Sequence, residues 1–285
     1  MPTVIHPTAI IDSQAQIHPT VHAGPYAVIE GPVKIGAHCH LHAHAKVTGP
    51  TTLGNGNTIH SFAVIGDAPQ DLKFKDQTSE LVIGDNNIFR EHVTVHRGTN
   101  GITRIGSNCF LMVGSHVGHN AVVHDFVTLV NGARLGGHSE VYQRAIVGAG
   151  CAIHQNARVG RLAMVTNNCA QLGDIPPYCI STHTAVVTQI NHVGLRRSGM
   201  SKPAIDAVRQ MFKLLMRDLA GVPLPKAIGQ LPPELLAHPE VREFVEFVKT
   251  TKRGVAKFQP WSQTTKEKGG GDAVDANNDD DGQNQ

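Results

Sequence analysis

Aliphatic residues recur every six positions along most of this chain: Ile5, Ile11, Ile17, Ala23, Ile29, Ile35, Leu41, Val47, Leu53, Ile59 and Ile65 form a first run. The same phase returns at Ile83, Phe89 and Val95, and a shifted phase then runs from Ile105 through Leu111, Val117 and Val123 to Val159 and Val165. A small residue follows four places later, as in Ala9, Ala15, Cys39 and Ala45, and again from Cys109, Ser115 and Ala121 to Cys169. A period of six fits neither the helical 3.6 nor strand alternation; it predicts a hexapeptide β-helix. Each unit supplies a short strand and a turn, and three units close a triangular coil stacked about 4.8 Å from the next. No coil buries its apolar face alone, so the fold exists only as a stack. About ten coils fit between residues 5 and 180. Gly and Asn in Ile35-Gly36, Leu53-Gly54-Asn55-Gly56-Asn57 and Gly84-Asp85-Asn86-Asn87 suit turn positions with positive φ. A β-sandwich would not hold a six-residue phase over eleven units.

The pattern breaks over 66–82 and 98–104, which are predicted to leave the prism as external loops, where binding residues usually sit. Pro176-Pro177 is expected to end the stack, because proline donates no ladder hydrogen bond. Beyond it the period becomes helical: Ile205, Val208, Phe212, Leu215 and Leu219 lie on one face, with Ser201 as cap and Pro203 in the first turn. Val241, Phe244, Val245 and Val248 predict a second amphipathic helix after Pro239. The organisation expected is therefore an all-β parallel β-helix over 1–190, an α-helical domain over 191–260, and a disordered tail over 261–285, which is rich in Gly, Asn and Asp.

Composition narrows the partners. A net charge of +2 gives no reason to invoke nucleic acid, and no apolar run is long enough to span a membrane. No leading signal peptide is evident. Four of the five cysteines (Cys39, Cys109, Cys151 and Cys169) occupy the small inward position, which reads as buried packing in a reducing cytoplasm. Arg196, Arg197, Lys202, Arg209, Lys213 and Arg217 concentrate positive charge at the start of the helical region. That cluster is either a solvated helix face or a surface that steers an acidic partner.

Most of the 18 histidines fall on outward or turn positions, among them His6, His18, His38, His40, His42 and His44. No Cys, Asp or Glu joins the alternating His38, His40, His42 and His44 into a recognisable metal site. His116, His119, His138 and His154 differ. Counting by 18 places His119, His138 and His154 near one edge of the prism, beside Gly136-Gly137 where backbone can approach a ligand. An imidazole strip there can take a proton near neutral pH.

At these residues the chain resembles the UDP-N-acetylglucosamine O-acyltransferase family, from about residue 5 to 256. The resemblance is carried by the repeat, Gln70-Asp71-Leu72-Lys73, His96-Arg97-Gly98-Thr99, the His116/His119 pair, Gly136-Gly137-His138 and Ile153-His154-Gln155. It continues in Asp174-Ile175-Pro176-Pro177-Tyr178, Gly194-Leu195-Arg196-Arg197 and Thr251-Lys252-Arg253-Gly254. It implies a left-handed coil, a handedness the repeat itself does not dictate, since parallel crossovers are generally right-handed. It implies transfer of a 3-hydroxyacyl chain from acyl carrier protein to UDP-N-acetylglucosamine, the first step of lipid A biosynthesis, by a cytoplasmic homotrimer with no cofactor and no metal. His119 matches the general base and Gly137 the backbone oxyanion donor. His116, His138, His154 and Gln155 match groups that position sugar nucleotide and acyl chain; Asp71 and Lys73 match groups near the sugar and phosphates. Asn191 and Arg197 match nucleotide-binding positions, and acyl carrier protein becomes the acidic partner of the basic cluster.

The chain departs from the family pattern in several places. Asn120 stands where an aspartate usually follows the catalytic histidine, and an amide orients a ring without supplying charge. Asn156 replaces an aromatic residue, and Ser198 the second arginine of a pair. Thr166-Asn167 stands where paired glycines often line the acyl groove, which implies a shorter acyl chain or weak activity on long ones. Alternatives are N-acylation of an aminosugar, a catalytically silent paralogue, and a zinc β-helix of the γ-carbonic-anhydrase type. The N-acylating enzyme's extra N-terminal domain has no counterpart here; His119 and His124 have the zinc spacing, but Ile83 falls where the third ligand belongs.

Overall fold

In a computed structural model describing residues 4–259 except 76, 183 and 184, the repeat forms a prism of three sheets with twelve, nine and eight strands. These are called sheets 1, 2 and 3. The tail predicted as disordered, 261–285, lies outside the described residues. Most strands are two residues long, and each pairs in parallel with the strand one coil on, as His116↔Arg134 and Arg134↔Ala152. The nine strands of sheet 2 count nine coils, one fewer than chain length suggests, because the two insertions consume residues.

Inward aliphatics such as Leu41, Ile65, Leu111, Val117 and Leu135 are fully buried, as are the small residues Cys39, Ala45, Ala121 and Ala133. All five cysteines are buried free thiols. In most turns four residues join successive strands, and the third takes a left-handed conformation, as Asn86 (φ 57°), Asn120 (φ 59°) and His138 (φ 56°) do. The turn glycines divide: Gly56 takes the expected positive φ (67°), whereas those that open a turn have a different reason. Gly36 opens its turn without a positive φ, and a Cβ there would lie 2.7 Å from the carbonyl of Gly54 in the next coil. Close stacking, not φ, excludes a side chain.

Both external loops are shorter than predicted. Ser79–Ile83 and Gly101–Ile105 are five-residue strands paired along their whole length, so each insertion returns to sheet 3 early. Paired residues are 30 apart across the first insertion (Val64↔Thr94) and 22 apart across the second (Thr94↔His116). Against the usual 18, the first adds two whole repeats and keeps the phase; the second adds four residues and shifts it.

Pro176-Pro177 does not end the stack. Cys179–Thr182 adds a parallel strand to sheet 1 beyond the prolines, then pairs antiparallel with Val186–Ile190. The helical region follows: α1 (His192–Arg197), α2 (Lys202–Lys213), α3 (Leu224–Ala227), α4 (Pro233–Leu236) and α5 (Pro239–Lys249). Ser201 caps α2 by accepting the Ala204 N–H, as its position predicted. The last coil is fastened to α5. Arg158 donates to the buried Asp174 carboxylate at 2.6 Å and to the Phe247 carbonyl, with its guanidinium 4.1 Å from the Phe247 ring. No helix among the described residues is long and apolar enough to cross a membrane.

Candidate active site

The corner between sheets 2 and 3 carries the histidine strip. Its consecutive turns are Gly118-His119-Asn120-Ala121, Gly136-Gly137-His138-Ser139 and His154-Gln155-Asn156-Ala157. Counting by 18 found the right edge, but the three histidines hold three different turn positions. His119, Gly137 and Gln155 stack in register as second residues; His138 is a third residue and His154 a first. His138 presents its ring edge-on to His119, centroids 5.3 Å apart. His154 is exposed, its Nδ1 2.9 Å from the Gln155 carbonyl.

The His119 ring lies directly on Gly137: a Cβ there would sit 2.5 Å from Nε2. Gly137 is buried, and its N–H has no acceptor among the described residues. A buried N–H without a partner is rare, and here it faces a cleft. The cleft has a volume of about 350 Å³; Gln70, His96, His116, His119, Arg134 and Gly137 are among its lining residues.

On the other side of the ring, His119 Nδ1 is 3.0 Å from Asn120 Oδ1. Asn120 Nδ2 donates to the Asn100 carbonyl and Oδ1 accepts the Thr99 N–H, so the amide cannot flip without losing both bonds. Oδ1 is therefore an acceptor, Nδ1 carries the proton, and the Nε2 lone pair faces the cleft. The first insertion folds back to the same ring: Asp71 Oδ2 lies 4.0 Å from His119 Nε2. Asp71 also accepts the Lys73 N–H, and this bond, followed by the Thr99 hydroxyl and the nearby His119 and Lys73, holds its carboxyl below the usual range. The Lys73 side chain is exposed.

His116 lies deeper. Its Nδ1 is 2.8 Å from Thr94 Oγ1, and burial, then His96, Arg134 and His119, push its pKa down to about 4. His96, only 7% exposed, packs edge-on against it at 4.8 Å. Both imidazoles are neutral near pH 7 and serve as hydrogen-bonding walls. Arg134 follows His116 one coil on and brings an exposed cation to the cleft. His96, Thr99 and Arg134 were not among the expected site residues. His96 sat unused in the His96-Arg97-Gly98-Thr99 motif, and the four-residue phase shift hides its closeness to His116.

The remaining candidates do not join this cluster. Thr166 and Asn167 lie in the turn from sheet 1 to sheet 2, a different corner of the prism. Asn167 is exposed, and its Oδ1 accepts the Ala149 N–H at 2.9 Å. Asn191 is 6% exposed; it caps α1 through the Gly194 N–H and donates to the Leu162 carbonyl, so one Oδ1 lone pair and one Nδ2–H are the capacity left for a ligand. Arg197 is exposed in the last turn of α1. Arg196, Lys202 and Arg209 line a groove of about 790 Å³ beside it. The zinc reading fails at its third ligand: Ile83 points into the prism core, and His124 is bonded by Glu140 at 2.8 Å.

Comparisons with known proteins bear on this corner and on the helices alike. Residues 174–256 match the family model described as UDP-N-acetylglucosamine O-acyltransferase, domain 2, and residues 14–49 match that of the bacterial transferase hexapeptide. A protein of Anaeromyxobacter dehalogenans named acyl-[acyl-carrier-protein]–UDP-N-acetylglucosamine O-acyltransferase is 43% identical over 257 residues, 89% of this chain and 99% of its own length. One of the same name from Thiobacillus denitrificans is 42% identical with the same coverage. Among solved structures, the UDP-N-acetylglucosamine acyltransferase of Francisella novicida superposes with a TM-score of 0.85 at 31% identity, over 92% of this chain and 96% of that one. The O-acyltransferase of Moraxella catarrhalis gives 0.83 at 33% identity, over 89% and 99%.

Proposed function

This chain belongs to the UDP-N-acetylglucosamine O-acyltransferase family, and from that premise we propose that it moves a 3-hydroxyacyl group from acyl carrier protein to the 3-hydroxyl of UDP-N-acetylglucosamine, with His119 as general base. The sugar oxygen attacks the thioester carbonyl while its proton passes to His119 Nε2. Charge developing on the carbonyl oxygen is met by the Gly137 N–H, a fixed dipole that needs no reorganisation. Collapse of the tetrahedral intermediate expels the carrier's thiolate, which takes the proton from His119. The product is the 3-O-acyl sugar nucleotide, the first intermediate of lipid A.

One observation carries this reading: the N–H of buried Gly137, without an acceptor among the described residues, lies against an imidazole whose Nε2 lone pair faces the same cleft. The supporting roles follow from placement. Neutral His116 and His138 suit hydroxyl and carbonyl groups of the ligand, and Gln155 and His154 stand further along the corner. Lys73 on the first insertion and Arg197 on α1 supply cations for phosphates, Asn191 caps α1, and the basic groove at α1 and α2 faces the acidic carrier. Thr166 and Asn167 occupy another corner of the same chain, so a groove shared with His119 needs a second copy. A homotrimer acting in the cytoplasm satisfies that need. Asn120 keeps the orienting bond to His119, which favours an active enzyme over a silent paralogue.

Acyl transfer from acyl carrier protein to UDP-N-acetylglucosamine, compared between the native chain and His119→Ala, tests the assignment. The variant should lose about a thousandfold in kcat. Equal turnover by both would remove His119 as the base.

A further inference from the structure

Thr99, a residue without a part in the chemistry above, touches both groups that flank the His119 ring. It is 9% exposed and lies in the short second insertion. Its backbone N–H donates to Asn120 Oδ1 at 2.9 Å, and its hydroxyl donates to Asp71 Oδ2 at 3.0 Å. Asn120 Oδ1 meets His119 Nδ1, while Asp71 Oδ2 lies 4.0 Å from Nε2. The ring therefore stands between a neutral amide and a carboxylate, and one residue spans the two.

We propose that Thr99 is a positioning residue of this site: its backbone sets the His119 ring through Asn120, and its hydroxyl holds Asp71 where the carboxylate balances the imidazolium formed during transfer. The proposal rests on His119 acting as base. Its physical content is a division of labour. An amide orients the ring without charge, so the counter-charge must come from elsewhere, and Asp71 is the carboxylate within reach. In a half-buried cleft a unit charge at this distance counts for much more than in bulk water. The other titratable groups facing the ring are His138, His96 and His116, and desolvation biases all three toward the neutral form. The one full positive charge lining the same cleft among the described residues is Arg134, an exposed guanidinium that solvent screens. Lys73 fixes the same carboxylate through its backbone N–H, and its exposed ammonium leans on Asp71 only weakly. Without the Thr99 hydroxyl, Asp71 is held by that loop bond and is free to turn Oδ2 away from the ring.

The test compares Thr99→Val, Thr99→Ser and Asp71→Asn with the native full-length chain. Turnover is read across the acid-to-neutral range, and ¹⁵N-histidine NMR is recorded without substrate. Thr99→Val should lower plateau kcat about tenfold, the scale of one hydrogen bond to a charged group. It should move the acid limb of the pH profile to lower pH, because a less stabilised imidazolium releases its proton sooner. Asp71→Asn should move the limb the same way and further, and Thr99→Ser should restore both rate and limb. The His119 nitrogen titration should shift in parallel while the Nδ1–H tautomer persists, since Thr99→Val keeps its N–H. A limb and titration unmoved in a folded Thr99→Val protein, or no restoration by serine, overturns the proposal. If the valine variant fails to fold, an unmoved limb in Asp71→Asn overturns it instead. An active His119→Ala would defeat the base assignment, whereas the substrate-free titration judges the clamp separately.

Discussion

Two corners of the prism are built from the same four-residue turn and put it to different use. Where sheet 3 passes to sheet 1, the second turn residue of one coil caps the N–H of its counterpart in the coil before. Asn55 accepts from Ala37, Asp85 from Asn55, Ser107 from Asp85 and Asp125 from Ser107, at 2.6 to 2.9 Å. From Ala37 to Ser107 that column is closed, its backbone satisfied by short polar side chains. At the corner between sheets 2 and 3 the corresponding column reads His119, Gly137, Gln155, and no described side chain caps Gly137. The fold tolerates the open donor because a cleft lies over it. A site arises here by omission: the cap is withheld, glycine admits the imidazole, and the released N–H becomes available to a reaction.

Three substitutions would break or sharpen this contrast. Gly137→Ala should do most damage, because its Cβ would lie 2.5 Å from His119 Nε2 and the ring must move. We expect kcat to fall about a hundredfold or more, the scale of an ångström-sized misplacement, with the melting curve little changed. Native turnover would mean that the ring's seat on Gly137 is irrelevant. Gln155→Asp is subtler: it installs at the open corner the kind of residue that caps Ser107 from Asp125. Kinetics should show kcat down about tenfold with KM nearly constant, as expected when a donor used only in the transition state is occupied. A rise in KM with kcat intact would point to a binding role instead. Asn167→Gly should matter least to turnover. Losing its bond to the Ala149 N–H should cost about 1 kcal/mol in denaturant unfolding, and the preferred donor should move to a longer acyl chain. An unchanged chain-length preference would detach Thr166 and Asn167 from the acyl groove.

The prism was legible from sequence because its physics is periodic: every sixth residue meets the same environment, so Leu41, Val117 and Leu135 announce themselves together. The edge bearing His119 followed from the same count, but finer placement did not. A shift of one residue turns a side chain to another face of the turn, which separates His138 and His154 from the column of His119. The approach of Asp71 was beyond any periodic reading, since the first insertion is held by irregular contacts, including Arg97 over the Phe74 ring and its donation to the Gly66 carbonyl. Thr99 stands in the His96-Arg97-Gly98-Thr99 motif, but its contacts escape a periodic reading for the same reason. Its partners Asp71 and Asn120 are 28 and 21 residues away, separations that do not match the coil. The early ends assigned to the stack and its strands had another cause. Pro176-Pro177 were read as a terminus, yet the stack needs only a strand able to pair, and Cys179–Thr182 pairs.

The two ends of the stack are unequal. At the far end Arg158, Asp174 and α5 lock the last coil in place, whereas at the near end Val4, Ile10 and Ile11 stand 52%, 64% and 36% exposed. In a solenoid each coil is held only by its neighbours, so such asymmetry gives unfolding a direction. The molecule should fray from its first coil inward, like a column of coins losing those at one end, long before the cleft is disturbed. The coils below His119 then act as a sacrificial length that absorbs thermal opening at a distance from the chemistry.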